Sequence, residues 1–394
     1  MYKQFTTDLV HLPSFELGEI YKMNGVWEIQ LIPRQQSFIC PLCFRKSVNH
    51  ARPKERVLKH LFIPTHGLIY VRVPVYRQRC DDCGISWSVE WPGIPQRGKV
   101  TNRFKEMVIQ ECKGNTFQSV SKKTGISPST ITHWFYQEAE RLVAKPENHS
   151  SPTKVCIDEF SLKKGHKYSL AIQDAETGHI WQVSEGRSRA QIQEALKRYP
   201  FIAPVVAVTD LAPGMAKTIQ EVWPHVDIVA DKFHVIQLFT AALERARKLS
   251  SKYATKHLEI RYQRRLLMTD PKLLDPQEKD KLSKWLDEDT NLYQQYQALQ
   301  AIRRVYQSHT YQEGEQSLQA WIDYYLWDGA SATRRIAKTL LQWKTEILNY
   351  FKYRITNAKI EGTNNLIKTI KRRSFGCPNQ EKFTLRIRLE CQQP

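Results

Sequence analysis

The order of strand-like and helix-like segments between residues 153 and 250 constrains the fold more than any other feature of this sequence. Apolar residues alternate with polar ones in some segments and recur every three or four residues in others, in the order βββαβαβα. The predicted strands are Lys154–Phe160, Lys167–Gln173, His179–Val183, Pro204–Asp210 and Asp227–Asp231, and the predicted helices are Ser188–Arg198, Pro213–Val222 and one that begins at Lys232. The fourth strand is largely apolar, which is typical of a buried parallel strand, so the order predicts an α/β sheet covered by helices.

Composition divides the 394-residue chain into regions around this segment. Residues 1–95 are strand-like and rich in Pro and Arg, residues 246–350 are almost wholly helical, and Lys145–Pro152 has the composition of a linker. We therefore expect a multidomain α/β protein whose core is RNase-H-like and is interrupted by an all-α insertion. The predicted domains are a zinc-binding, zinc-ribbon-like β-rich domain (1–95), a helix-turn-helix domain (96–150), the first part of the core (151–245), the insertion (246–350), and the final core helix with a tail (351–394).

Four cysteines form two Cys-x-x-Cys pairs, Cys40 with Cys43 and Cys80 with Cys83. Two thiolates of one turn can reach the same ion, and a second such turn completes a tetrahedral zinc site. The 37 positions between Cys43 and Cys80 exceed the spacing of compact zinc ribbons, but a β-rich excursion can bring the two turns together. We predict a closed, structural Zn²⁺ site, with free cysteines or a redox pair as the alternative.

Basic residues crowd the stretch between the two cysteine pairs. Glu55 is the only acidic residue between Gln35 and Lys59, where six residues are Lys or Arg. This excess beside a zinc knuckle predicts phosphate contacts, which we assign to Arg45 and Lys46, and a solvated face is the alternative. The histidines of this stretch could replace a cysteine ligand, but we expect them on the surface or facing DNA. They are His50, His60 and His66.

Residues 116–135 have the signals of a helix-turn-helix. Gly125 can end a first helix, and Ser127 can cap a second helix that has Pro128 at its first position. The expected packed face consists of Ile131, Trp134 and Phe135. The residues that would then face DNA are Ser129, Thr130, Thr132 and His133. A purely structural pair of helices is the alternative.

Two aspartates mark a candidate metal site in the predicted sheet. Asp158 lies in the first strand, and Asp210 ends the fourth, where α/β folds open their ligand crevice. If these strands are neighbours, the carboxylates converge, and at ~4 Å and an effective dielectric near 20 they repel by about 4 kcal/mol. A divalent cation relieves that repulsion, and carboxylate oxygens suit Mg²⁺ or Mn²⁺. A buried capping role is the alternative for either residue alone.

A late amphipathic helix, Asn357–Arg373, offers a third acid. Its apolar stripe is Ile360, Thr363, Ile367 and Ile370. Beside that stripe lie Glu361, Asn364 or Asn365, Lys368 and Arg372, at spacings that place them on one face. This face could bring an acid to a metal and a basic track to a phosphodiester strand, and a solvated face is the alternative. Nine basic residues between Lys338 and Arg373 favour a DNA channel.

The formal net charge of +19 favours a polyanionic partner. An anionic membrane surface is the rival partner, but the sequence has no basic amphipathic anchor and no apolar run of ~20 residues. The first residues lack the charge and apolar pattern of a secretory signal. We therefore expect nucleic acid rather than a membrane as the partner, and a cytoplasmic location.

Four motifs resemble the signatures of bacterial insertion-sequence transposases of the ISL3 family. They are Val155–Ser161, Thr209–Met215, Asp231–His234 and Lys359–Lys368. Members of this family join an N-terminal zinc-binding region and a helix-turn-helix to a DDE catalytic core, so the resemblance covers nearly the whole chain. It implies the catalytic triad Asp158, Asp210 and Glu361, and a helical insertion that separates the last two. His234 resembles an accessory residue near the scissile phosphate, although a core histidine is an alternative.

The resemblance implies a DNA transposase that binds the terminal inverted repeats of its element and both cleaves and transfers strands. Each active site would hold two Mg²⁺ or Mn²⁺ ions, and the partners would be double-stranded element ends and target DNA. Pairing two ends implies a homodimer or larger assembly, in a bacterial cytoplasm and associated with the nucleoid. Two alternatives stay open: a non-catalytic zinc and helix-turn-helix regulator, and a structure-selective nuclease of RNase-H-like fold.

Overall fold

The computed structural model describes residues 8–23, 25–35, 37–50, 54–143, 151–163, 167–186, 188–198, 202–250, 257–327, 329–375 and 379–391. The chain separates into two compact units, Met1–Leu142 and Val143–Pro394. Residues 145–150 of the predicted linker Lys145–Pro152 lie outside the described residues. Within the described ranges, no helix has both the length and the apolar character needed to cross a bilayer.

The first unit is built on β-sheets. Its described strands are β1 (Phe15–Met23), β2 (Val26–Pro33), β3 (Val48–Asn49), β4 (Lys54–Ile63), β5 (Gly67–Val75), β6 (Arg77–Arg79) and β7 (Ser86–Ser88). The larger sheet has the order β1-β2-β5-β4, and the smaller one has the order β3-β6-β7. Alternate residues of β5, such as Val71 and Val73, are buried and pack with Leu58 and Phe15 in one apolar core.

Three of the described helices of the first unit follow these strands. They are α1 (Asn102–Cys112), α2 (Phe117–Thr124) and α3 (Pro128–Val143). The Thr116 hydroxyl accepts a hydrogen bond from the backbone N–H of Ser119 at 3.0 Å and so caps α2. Gly125 ends α2 with a φ of 62°, a left-handed conformation that glycine adopts without strain. The predicted helix-turn-helix is thus confirmed as α2 and α3.

The second unit contains a sheet of five described strands. They are β8 (Lys154–Lys163), β9 (Lys167–Asp174), β10 (Ile180–Glu185), β11 (Val206–Thr209) and β12 (Asp227–Ala230). Their order is β10-β9-β8-β11-β12. The pairs β10–β9 and β9–β8 are antiparallel, whereas β8–β11 and β11–β12 are parallel. The strands predicted between residues 153 and 231 therefore agree with the observed ones within a few residues.

Helices pack on both faces of this sheet. Following the strands come α4 (Arg189–Arg198), α5 (Pro213–Val222) and α6 (Lys232–Ser250). Ile157, Ile172 and Ala207 share a core with the buried sides of these helices. Cys156 and Val208, which alternate with those residues along their strands, belong to the core on the other face.

A set of helices follows α6 along the chain. They are α7 (His257–Met268), α8 (Pro276–Glu288), α9 (Thr290–Val305), α10 (Tyr311–Trp327), α11 (Ser331–Gln342) and α12 (Lys344–Tyr353). The four tryptophans of this region differ in burial. Trp321 and Trp343 are buried and Trp285 packs against the core, whereas Trp327 is 82% exposed at the end of α10.

Two final helices cover the second face of the five-stranded sheet. They are α13 (Ala358–Arg373) and α14 (Gln380–Cys391). Ile360 and Ile367 of α13 and Phe383 of α14 pack with Cys156 and Val208 of the sheet. The late helix predicted from its apolar stripe is therefore present, and it lies against the strands that carry the two aspartates.

Candidate functional site

The four paired cysteines come together in the first unit. Their sulfur atoms all lie within 4.8 Å of one another, with Cys40 and Cys80 buried. The N–H of Leu42 donates to Cys40 Sγ at 3.4 Å, and the N–H of Cys83 donates to Cys80 Sγ at 3.4 Å. Burial raises the pKa of the Cys40 thiol, but the N–H donors of Cys43 and Leu42 outweigh it and bring that pKa down to about 7. Four convergent thiols of this kind are compatible with a structural zinc ion.

The two cysteine turns have the same backbone design. The N–H of Phe44 donates to Cys40 O at 3.0 Å, and the N–H of Gly84 donates to Cys80 O at 2.9 Å. Both residues are left-handed, with φ of 59° for Phe44 and 69° for Gly84. Arg45, which we expected to contact phosphate, forms an ion pair with Asp82 of the other turn at 2.8 Å. The Arg45 side chain therefore joins the two turns, and Lys46 follows it in the chain.

One histidine of this region departs from expectation. His60 is completely buried rather than on the surface, because its two ring nitrogens are both satisfied inside the core. Nε2 lies 2.8 Å from the Val10 carbonyl, and Nδ1 lies 3.0 Å from the Thr101 hydroxyl. Burial lowers the pKa of His60 to about 4. His50 and His66 are exposed, as expected.

The residues expected to face DNA lie at the start of α3. Ser129 and His133 are exposed, while Thr130 and Thr132 are half-buried. Thr132 donates to the Pro128 carbonyl at 2.7 Å, and the hydroxyls of Ser129 and Thr130 hydrogen-bond with the Ser127 hydroxyl, at 3.0 and 2.7 Å respectively. His133 therefore has the freest side chain of the four. The packed face is formed by Ile131, Phe135, Tyr136 and Ala139. Trp134, expected in that face, is half-exposed.

Asp158 and Asp210 lie side by side in the second unit. Cys156 of β8 pairs with Val208 of the parallel strand β11, and each aspartate is two residues further along. Because side chains alternate along a strand, both aspartates lie on the face that α13 covers. Burial and then the negative charge of Asp210 raise the pKa of Asp158 to about 7. The structure thus brings two carboxylates, whose negative charges repel each other, together at the end of the parallel strands.

His234 connects Asp210 to a third aspartate. Its Nδ1 lies 2.9 Å from Asp210 Oδ1 and 3.0 Å from Asp231 Oδ2. Hydrogen bonds to Asp210 and then to Asp231 raise the pKa of His234 to about 10. Asp231 is buried, and its Oδ1 accepts a hydrogen bond from the backbone N–H of Asn357 at 3.0 Å. Asp231 therefore ties the residue before α13 to the acidic end of the sheet.

Asn364 provides a second link between α13 and the aspartates. Its Nδ2 donates to Asp158 Oδ2 at 2.6 Å, and the residue is 3% exposed. It belongs to the buried stripe with Ile360, Ile367 and Ile370, whereas Asn365 is exposed. Sequence left the choice between these asparagines open, and the structure places Asn364 against Asp158 instead of leaving it free for DNA.

Glu361 is exposed in the first turn of α13, with Asn365 one turn further along. Lys368 is half-buried and Arg372 is exposed. Among the described His, Cys, Asp and Glu side chains, only the four cysteines form a group of three or more whose ligand atoms lie within 4.8 Å of one another. The ligand atoms of Asp158, Asp210 and Glu361 are therefore more widely spaced than that.

Several basic residues expected to line a DNA channel serve the fold instead. Lys352 pairs with Asp227 at 2.8 Å, and Arg373 pairs with the buried Glu390 at 2.7 Å. Arg354 donates to the Ser308 carbonyl at 2.8 Å. Lys359 donates to the Glu176 carbonyl at 2.7 Å. The positive charge of this stretch is thus partly internal to the second unit.

Family models match both units. Residues 155–387 match the ISL3 model described as "Transposase", and residues 89–138 match the model described as the helix-turn-helix domain of transposase family ISL3. The first match alone spans more than half of the chain. The chain belongs to the ISL3 family of transposases.

Two transposases of other insertion sequences are similar to this ISL3 transposase. The transposase for insertion sequence element IS1001 of Bordetella parapertussis is 26% identical over 375 residues, which cover 91% of this chain and 90% of that protein. The transposase for IS1557 of Mycobacterium tuberculosis is 26% identical over 253 residues, covering 57% and 56% respectively. The predicted identity as an insertion-sequence transposase with a helix-turn-helix is confirmed, and the family implies an enzyme that cleaves and transfers DNA.

Asn364 and Asp231 make contacts that the sequence patterns do not predict. The sequence indicates a DNA contact for Asn364 and a motif with His234 for Asp231. The signal for Asn364 was its position in the apolar stripe, four residues after Ile360 and three before Ile367. The bond from the Asn357 backbone to Asp231 has no signature in the sequence, because it joins residues 126 positions apart.

Proposed function

We propose that this ISL3 transposase binds the terminal inverted repeats of its element and cleaves and transfers DNA strands with Asp158, Asp210 and Glu361 as a DDE triad. The observation that carries the proposal is the adjacency of Asp158 and Asp210 on neighbouring parallel strands, beneath the helix that bears Glu361. Two partly buried carboxylates that are held close together repel each other through their negative charges. A cation bound between them removes this repulsion. Such a pair suits metal-dependent phosphodiester chemistry.

An RNase-H-like core is part of this proposal. Its support is the sheet order β10-β9-β8-β11-β12, with three antiparallel strands followed by two parallel ones and helices on both faces. The helices α7 to α12 then form the insertion that separates Asp210 from Glu361. We further propose domain boundaries at about residues 95, 150, 245 and 350, of which the last two fall within the final turns of α6 and α12.

The donor atoms of the acidic edge fit Mg²⁺ or Mn²⁺. Nδ1 of His234 carries one proton, which it can donate to only one of its two neighbouring carboxylates at a time. Asp210 Oδ1 is buried and accepts no hydrogen bond of good geometry from the described residues. Asp158, Asp210 and Glu361 would hold the ions. A site for two ions would divide its ligands between them, so the three acids need not all converge on a single point. When bound, the ions activate the attacking oxygen and stabilise the leaving one.

The chain's own residues orient this chemistry. Asn364 donates to Asp158 Oδ2, and His234 Nδ1 lies 2.9 Å from Asp210 Oδ1, so both side chains fix the orientation of the aspartates that would hold the ions. The contacts with Asp210 and Asp231 raise the pKa of His234, and its ring would lie beside a phosphate held at this edge. Lys368 and Arg372 add positive charge along α13 and would bind the strand.

Recognition of the element ends belongs to the first unit in this proposal. The exposed start of α3, with Ser129, Thr130, Thr132 and His133, would enter the major groove. The zinc-loaded cysteine turns, with Lys46 beside them, would contact the DNA backbone, while Arg45 orders the turns through Asp82. Two copies of the chain would be needed to hold two element ends together.

The test is an end-cleavage assay in Mg²⁺ on DNA that carries the inverted repeat flanking the reading frame. Asp158→Asn, Asp210→Asn and Glu361→Gln should each keep DNA binding and lose cleavage by at least about 100-fold, because charge stabilisation by a held metal is worth several kcal/mol. Glu381→Gln, an acid in the first turn of α14, is the matched control and should cleave normally.

The outcomes separate the proposal from its rivals. Full activity of any triad variant would remove that residue from the triad. A wild-type chain that binds the repeats but never cuts in Mg²⁺ would be a regulator. Cutting that ignores the repeat sequence and never joins ends would indicate a nuclease.

A further inference from the structure

A cleft of about 800 Å³ leads away from the acidic edge of the sheet. Asp210 and His234 line one end of it, and its walls are formed by α6, α9 and α11. The cleft lies within the second unit and is continuous with the proposed active site. Its contents therefore bear on what lies beside the reacting phosphate.

The floor of the cleft is apolar. It includes Leu211, Leu238 and Ile336, together with two small side chains, Ala242 and Ala246. Alanines on successive turns of a helix leave a shallow, nearly flat surface. A planar ring can lie on such a surface and exclude water from it.

A buried amide faces this apolar floor without a partner. Gln295 of α9 lines the cleft and is 2% exposed, and its Nε2 has no hydrogen-bond partner in the described structure. A buried N–H donor without an acceptor is unfavourable, so its presence in a cavity indicates a missing acceptor. Asn291, one turn earlier on α9, adds a second amide at the exposed side of the cleft.

The charges that line the cleft are positive apart from its acidic end. Arg245 of α6 and Arg335 of α11 are exposed, on two of these walls. Asp210 is the one acidic residue among the lining side chains that the structure describes. Two guanidinium groups at the opening favour a phosphate there. A flat apolar floor, an unpaired donor and two arginines together match the base and the phosphate of one nucleotide.

We propose that this cleft is a nucleotide subsite, which takes one unpaired base of the DNA strand next to the phosphate at the acidic edge. The base lies on the alanine floor with an acceptor atom toward Gln295, and Arg245 and Arg335 hold its phosphate. This inference rests on the proposed function, because the strand reaches the cleft only if its reacting phosphate lies at Asp158 and Asp210. A base that leaves the duplex in this way fixes which phosphate is presented for cleavage.

The first test measures unstacking directly. The full chain is bound, without divalent ions, to a duplex of the element end in which 2-aminopurine replaces each base beside the cleavage position in turn. We expect a fluorescence rise of about threefold or more at one position, since 2-aminopurine brightens when it leaves the stack. No rise at any position would overturn the proposal.

The second test fills the cleft. Ala241 lines it and is exposed on α6, so Ala241→Trp should occupy the subsite without disturbing the core. We expect normal DNA binding but cleavage slowed about 100-fold, and recovery of cleavage when the DNA has an abasic site at the position found by 2-aminopurine. Lys248→Trp, an exposed position on the same helix outside the cleft, is the control and should cleave normally. Ser331→Trp repeats the test from the opposite wall if Ala241→Trp proves unstable in a melting experiment.

Rescue by the abasic site distinguishes a filled subsite from general damage, because a distorted protein gains nothing from a missing base. Normal cleavage by both Ala241→Trp and Ser331→Trp would overturn the subsite proposal. A cleavage defect that an abasic site relieves at no position would overturn it as well. Failure of the proposed function has a different signature: Asp210→Asn would still cleave, or the wild type would not cleave in Mg²⁺, whatever the 2-aminopurine signal shows.

Discussion

At the scale of single residues, His60 shows how one buried ring can make stability depend on pH. Its Nε2–H donates to the Val10 carbonyl, and its Nδ1 accepts from the Thr101 hydroxyl, which in turn accepts from the Phe104 N–H at the start of α1. This arrangement uses the neutral ring. A second ring proton would be placed in a site that is closed to solvent.

We predict that the first unit loses stability as the pH falls from 6.5 toward 4. The pKa of His60 is about 4 in the folded chain, whereas its ordinary value is 6.5. Between these two pH values, His60 is therefore protonated in the unfolded chain but neutral in the folded chain. The free energy of unfolding should fall by about 1.4 kcal/mol per pH unit, or roughly 3 kcal/mol across the window. Urea unfolding of the first unit, followed by pulsed hydrogen exchange of its peptides, measures this slope.

Two substitutions test whether His60 causes this pH dependence of the free energy of unfolding. His60→Gln should be less stable at neutral pH but should have a shallower pH dependence, because it has no ring to titrate. His66→Gln, at an exposed histidine of the same unit, should keep the wild-type slope. An unchanged slope in His60→Gln would show that another group, such as the cysteine cluster, causes the acid loss.

At the scale of secondary-structure elements, α13 carries two successive asparagines with different environments. Asn364 is buried and holds Asp158, while Asn365 is exposed. The apolar pattern located the helix and its buried stripe, but a stripe about 100° wide does not decide which of two adjacent polar residues lies at its edge. That decision depends on where Asp158 lies, and Asp158 is 206 positions away along the chain.

We predict that Asn364→Ala slows Mg²⁺-dependent cleavage by about 10–100-fold and raises the Mg²⁺ concentration needed for half-maximal rate, because groups that orient metal ligands have effects of this size. DNA affinity should change little. Asn365→Ala should show the reverse, with weaker retention of DNA and an unchanged Mg²⁺ requirement. Cleavage rates over a Mg²⁺ titration, with DNA binding measured in parallel, distinguish the two. Weaker DNA binding by Asn364→Ala with no change in Mg²⁺ dependence would assign that asparagine to DNA instead.

At the scale of the whole molecule, the two units differ in what stabilises them. The second unit has extensive apolar cores on both faces of its sheet. The first unit has a smaller core around Phe15, Val71 and Trp91, and its cysteine turns are short loops joined by the Arg45–Asp82 pair and the four thiols. Short loops of this kind depend on a bound ion for their folded state.

We predict that the purified chain binds one zinc ion and that Cys40→Ala abolishes this. Because a structural zinc site contributes directly to folding, a chelator should unfold the cysteine turns of the first unit and leave the second unit folded. Cys112→Ala, at another buried cysteine of the first unit, is the matched control and should retain the metal. Metal content by mass spectrometry and unit-resolved hydrogen exchange are the measurements. A full zinc content in Cys40→Ala would contradict the assignment.

Sequence patterns predicted the elements of this molecule better than its side-chain contacts. The strands from Lys154 to Asp231 and the helix-turn-helix follow from local periodicity and capping signals, which act over a few residues. The burial of His60, the pairing of Arg45 with Asp82 and the internal use of Lys352 depend on partners 37 to 125 positions away. The sequence alone does not show whether a basic or polar side chain contacts a phosphate or a backbone carbonyl. Its role becomes visible only when the chain has folded.

The bond from the Asn357 backbone to Asp231 closes a loop of 126 positions that contains the whole helical insertion. A ribosome therefore completes both aspartate-bearing strands and the DNA-recognition helices long before it makes the helix with Glu361. Under the triad proposed above, an unfinished or prematurely terminated chain can hold DNA but has no means of cutting it. Under that proposal, the order of synthesis delays DNA cleavage until α13 has been made.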